Sequence, residues 1–203
     1  MKTYLKSNLP KISLILITIF FISNILTLLT PRFSEIILLY PSNLFEPLNW
    51  YRFITYPLYV GGLLSWIHNS LVIFLTVLII EKKIRKQYLT GLIILSSIMG
   101  GLIFIIINQG GAYNKPIAAP TMISWGYWSA TIVIGLKYWR TLNLFEKIVM
   151  ILCFISILSI WNENFGFFMG QLSVILLISI LTIIKLRKLK TNRPQSSRRL
   201  TGM

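Results

Sequence analysis

Ser65, His68 and Asn69 lie within one helical turn or so of each other, at the head of an apolar run that closes at Glu81, with Arg52 shortly before them. A hydroxyl, an imidazole and an amide can exchange hydrogen bonds or move a proton, and in hydrocarbon an unsatisfied polar group is expensive. Ser65 and Asn69 are four apart and share one face of a helix, so that face must look into a protein interior. His68 is the only histidine. No second histidine can join it around a metal ion; it either faces the same cavity as Ser65 or is buried and hydrogen-bonded to a neighbouring helix. Cys153 is the only cysteine and lies inside an apolar run, which excludes an internal disulfide and leaves it a small apolar residue. No nucleotide-binding glycine loop or paired-carboxylate metal site is present, so no metal or cofactor is expected.

The elements that must hold these groups are hydrophobic helices. Of 203 residues 55% are hydrophobic and 12% charged, a membrane-protein composition. A span needs about 20 apolar residues. Six candidates lie at about 12–29, 58–80, 88–107, 121–136, 144–161 and 165–186; the fourth and fifth are short, as suits helices surrounded by others or ending at a cavity, and equally a locally thinned bilayer. The apolar run at 12–29 is too long for a signal-peptide core and has no small-residue cleavage site, so it is expected to be a retained span.

The net charge of +15 belongs to the ends of these spans. Lys2, Lys6 and Lys11 precede the first span; Lys82, Lys83, Arg85 and Lys86 separate the second and third; Lys137, Arg140 and Lys147 separate the fourth and fifth; a basic tail follows the sixth. The opposite loops hold only Arg32, Arg52 and Lys115. The positive-inside rule then predicts six spans with both termini cytoplasmic, in a plasma (inner) membrane. Nucleic-acid binding is not expected, because the basic residues flank apolar segments. The loop 30–57, rich in large apolar and aromatic residues, is expected at the membrane interface, and 108–120, with Gly110, Gly111, Pro116 and Pro120, reads as flexible. The tail 191–203 is expected to be disordered, either a topology-fixing segment or one drawn to anionic lipid, which leaves 1–190 as a single transmembrane domain. Gly100-Gly101, Gly126 with Ala130, and Gly166 with Gly170, spaced G-x-x-x-G, are positions where helix backbones can approach closely.

Taken together, the chain resembles the rhomboid family of intramembrane proteases from about Trp50 to Gly170. The family's W-R pair and following T-Y correspond to Tyr51-Arg52 and Thr55-Tyr56, and its H-G pair to Val60-Gly61. Counting back from Glu81-Lys82, its H-x-x-x-N motif places Ser65 at the histidine and Asn69 at the asparagine, the oxyanion positions. The resemblance gives structural roles to Arg52, Gly61, Gly126, Gly166 and Gly170, and implies an all-α bundle of six transmembrane helices. It also places Thr121 at the nucleophile, anchored on Gly126, and Glu163 at the general base, anchored on Gly166. Ala119 and Met122 replace the small residues around the nucleophile.

The resemblance therefore implies a fold without its catalytic Ser and His. A hydroxyl attacks only when a base takes its proton, which imidazole does near neutral pH; a carboxylate with a pKa near 4.3 is a far weaker base unless desolvated. In W-N-E-N-F, Glu163 either caps a helix N-terminus or faces the former active-site cavity. Ser124, a turn beyond Thr121, reads as a helix-packing hydroxyl. The expectation is a catalytically inactive rhomboid-like protein, similar to inactive rhomboids and derlins, that binds transmembrane helices or stabilises a membrane complex. A divergent endopeptidase using Thr121 or Ser124 is the alternative, and a small transporter or channel the second.

Overall fold

The computed structural model describes residues 11–30, 32–42, 46–80, 84, 86–109, 115–117, 119–158 and 165–191. These are overwhelmingly helical: α1 (Lys11–Leu29), α2 (Arg32–Ile37), α3 (Arg52–Thr55), α4 (Leu63–Ile80), α5 (Lys86–Asn108), α6 (Pro120–Tyr138), α7 (Leu144–Leu158) and α8 (Phe165–Thr191). Short 3-10 turns occupy Pro47–Asn49, Tyr56–Leu58 and Trp139–Thr141. The N-terminal lysines before Lys11, the linker carrying Lys82 and Lys83, and the tail after Thr191 lie outside the described residues.

Three helical segments, Ile12–Leu29, Gln87–Asn108 and Phe165–Lys188, are long and apolar enough to cross a membrane; a bent pair, Pro47–Leu58 with Leu63–Val77, reaches that length and composition only when its two halves are taken together, as a broken span or a re-entrant loop. The expected fourth and fifth spans form α6 and α7, both helical; α6, at 19 residues, is long enough but not apolar enough to count among those segments, and α7, at 15 residues, is too short. α6 mixes Ser124, Ser129 and Thr131 with Trp125, Tyr127 and Trp128, and every residue from Met122 to Thr131 is buried. It is the axis of the bundle, packed on α4, α5, α7 and α8. A helix wrapped by others needs no lipid-facing stripe, which is why its sequence is less apolar than its neighbours.

The second span is not continuous from 58 to 80. The chain turns by 85° before α4, through Gly61 at φ 66° and Gly62 at φ 124°. A side chain at either angle would be strained, so the two glycines make the corner. The loop ahead of it is folded. Tyr51 Oη donates to the Ile36 carbonyl (2.9 Å), Thr55 Oγ1 to Ile37 (3.4 Å) and Arg52 Nη1 to Leu38 (3.0 Å), so α3 and the Tyr51 before it satisfy three carbonyls at and just past the C-terminal end of α2. Leu39 pairs with Ile117 as an isolated antiparallel bridge, both buried. The second half of the 108–120 loop is therefore anchored at Ile117, where the glycines and prolines suggested flexibility throughout.

The closest helix packing runs along small residues. A Cβ on Gly170 would stand 2.8 Å from the Gly100 carbonyl oxygen, one on Gly100 2.7 Å from Met122 Sδ, and one on Gly166 would collide with the Asn108 amide. Gly126 faces the Ser96 hydroxyl in the same way. α5, α6 and α8 thus meet at near-backbone distance. Tyr56, fully buried, fills the wedge beside Gly101 and donates its hydroxyl to the Ser97 carbonyl at 2.9 Å.

Candidate functional site

The apolar periodicity of α4 decides which polar groups enter the bundle. Leu64, Ile67, His68 and Leu71 fall at i, i+3, i+4 and i+7 and are exposed, whereas Asn69, Ile73, Thr76, Val77 and Ile80 form the buried side. His68 therefore lies on the outer face of α4. The expectation of a buried histidine, or of one sharing a cavity with Ser65, is corrected by this helical phase. Ser65 is half-buried and Asn69 is buried, on the side turned to α6.

Asn69 Nδ2 donates to the Ser65 carbonyl at 2.9 Å and lies 3.5 Å from its Oγ; Ser124 Oγ, from α6, donates to Asn69 Oδ1 at 3.1 Å. The three side chains make one short hydrogen-bonded chain joining α4 to α6. Its direction carries the chemistry. The serine proton points at an amide oxygen, which accepts a hydrogen bond but does not take a proton near neutral pH. Ser124 is held, and it is not activated.

Thr121, one turn earlier on α6, is half-buried, and its Oγ1 is enclosed with no hydrogen-bond partner. Its neighbour Met122 is fully buried in the seam between Gly100 and Gly170. The thioether occupies space that a glycine at this position would leave open, as the replacement suggested. Glu163 lies outside the described residues. Among those described, neither Thr121 nor Ser124 has a base within hydrogen-bonding reach, and no group of His, Cys, Asp and Glu could hold a metal ion.

The residues carried over as structural sit as follows. Arg52 binds the Leu38 carbonyl, and its guanidinium lies 5.7 Å from the Tyr40 ring centroid and 5.9 Å from that of Tyr51. Gly61 is at the corner before α4, Gly126 against Ser96, and Gly166 and Gly170 on the α5 seam. Cys153 is buried and free. In the sequence Tyr56 stands out only through the T-Y pair; that it wedges the loop against α5 depends on a hydrogen bond to Ser97, a partner too far along the chain for spacing to suggest. An apolar cleft of about 320 Å³ opens beside it, lined by Trp50, Phe53, Ile54, Ile98 and Leu102.

Hydrogen bonds also fix which helix ends lie together. Lys137 Nζ, near the end of α6, donates to the Leu186 carbonyl near the end of α8 at 2.8 Å. Tyr88, near the start of α5, shares a 2.9 Å hydrogen bond with Thr182 of α8. The basic residues closing α6 and α8 therefore gather at one end of the bundle, next to the start of α5. No protein-family model, curated protein or solved structure matches this chain.

Proposed function

We propose that this chain is a catalytically inactive rhomboid-like membrane protein, which binds transmembrane helices or stabilises a membrane protein complex. In this reading it has six spans, sits in the plasma (inner) membrane and keeps both termini in the cytoplasm. The observation that carries the inactive half is the direction of the hydrogen bond from Ser124 to Asn69, with Thr121 Oγ1 unpartnered: two hydroxyls and, among the described residues, no base at either. An enclosed but unactivated hydroxyl does not supply the proton transfer that acyl transfer needs. The topology draws support from the basic ends of α6 and α8 lying together. The helix-binding half draws support from the apolar cleft beside Phe53 and Ile98, open on the flank of α5.

The divergent endopeptidase has one observation in its favour, since the unpartnered Thr121 hydroxyl is free to attack if Glu163 reaches it as a desolvated base. The helix-binding reading is tested with the protein in liposomes and a labelled single-pass helix carrying helix-destabilising residues. Saturable energy transfer, unchanged by Thr121→Ala, is expected; transfer no greater than that produced by an unrelated six-span protein would sink it.

A further inference from the structure

The basic end of the bundle carries more than a scatter of charge. At about 1.5 Å per residue a helix crosses a hydrocarbon core of about 30 Å in roughly 20 residues, so α8, beginning at Phe165, reaches the far side near Ile184. With α8 so placed in a bilayer, its next turn, with Lys185 and Arg187, would stand at headgroup depth. α6 ends at the same level, tied there by the bond from Lys137 to the Leu186 carbonyl.

Between the two helices lies a cleft of about 280 Å³ lined by three apolar side chains, Val133, Ile183 and Leu186, and two cationic ones, Lys137 and Arg187. A second cleft, of about 260 Å³, shares Lys137 and adds Arg140. Lys137 gives one of three ammonium donors to Leu186 and keeps the others. Among the described residues no side chain pairs with Arg187 or Arg140. The carboxylate that α7 brings to this end, Glu146, is buried and accepts from the Asn143 amide. Trp139, partly exposed beside the clefts, suits the membrane interface.

We propose that this groove is a site for one anionic phospholipid, with an acyl chain along Val133, Ile183 and Leu186 and the phosphate held by Lys137 and Arg187. The apolar lining and the Lys137 and Arg187 cations, neither of which has a carboxylate partner among the described residues, match the two halves of such a molecule; a zwitterionic lipid adds a cation that these two disfavour. The site rests on membrane location and not on the loss of catalysis, so a cleavage assay does not bear on it.

The test is native mass spectrometry of the detergent-purified full chain with added phosphatidylglycerol or phosphatidylcholine. Wild type is expected to retain one phosphatidylglycerol in preference to phosphatidylcholine, and Arg187→Gln to retain it about fivefold less, the effect of one basic contact near the membrane surface. Ile183 is 41% exposed, so Ile183→Trp fills the groove without disturbing the core or the charges, and is expected to abolish the preference. Equal retention of the two lipids, no loss in Arg187→Gln, or retention unchanged in Ile183→Trp would each overturn the proposal, the last by showing a diffuse attraction to basic surface. Displacement of the lipid by excess inorganic phosphate would also overturn it, since the site would then bind a free anion.

Discussion

Asn69 turns its amide oxygen to Ser124 and its amide nitrogen to the carbonyl a turn back on its own helix, so both ends of one side chain are satisfied within the bundle. Interhelical hydrogen bonds of this kind contribute about 0.6 kcal/mol on average in membrane proteins. A double-mutant cycle of Ser124→Ala and Asn69→Ala, read by reversible unfolding in mixed micelles, is expected to give coupling of about that size; zero coupling would mean that the pair does not join α4 to α6. Tyr56 carries more. Tyr56→Phe removes only the bond to the Ser97 carbonyl and is expected to cost about 1 kcal/mol, whereas Tyr56→Ala empties a fully buried wedge and should cost about 3–5 kcal/mol. If the two variants unfolded alike, the wedge would not be holding the loop. Ser65 and Asn69 were legible as one inward face from spacing alone. The outward phase of His68 was not, because its place beside two polar residues suggested an inner position, and only the exposure of Leu64, Ile67 and Leu71 sets the helix rotation.

At the scale of elements, hydropathy shows where helices lie but not where backbone bends or how closely it packs. The run from Leu58 to Ile80 has no Asp, Glu, Lys, Arg or Pro in it, so the corner at Gly61 and Gly62 left no break in the pattern beyond the two glycines themselves. Likewise, nothing local in the sequence joins Arg52 to the Leu38 carbonyl; the α2–α3 contact comes from the folded loop. α6 packs on four other helices, which agrees with one of the readings that its short apolar run allowed. Glycines separate cleanly by what surrounds them. Gly91→Ala, with open space around it in α5, is expected to be neutral or stabilising by up to about 1 kcal/mol. Gly170→Ala meets the Gly100 carbonyl, a backbone atom that cannot swing aside, and should lower the thermal midpoint measurably. Gly62→Ala has room but the wrong φ, and should cost about 1–2 kcal/mol. Equal thermal midpoints for Gly91→Ala and Gly170→Ala would contradict the α5–α8 seam.

Over the whole molecule, a central helix packed by apolar helices, with Ser124 hydrogen-bonded to Asn69 and lysine and arginine gathered at one end, is the arrangement behind the proposed role of holding helices together. The most direct test of that account is cleavage of a helix-destabilised transmembrane substrate by the protein reconstituted in liposomes, with Thr121→Ala, Ser124→Ala and Glu163→Gln alongside and folding verified by thermal unfolding. The account predicts no cleavage by any of the four proteins. Cleavage by the wild type that vanishes on deletion of a single hydroxyl would contradict it and make this chain a protease with an altered base.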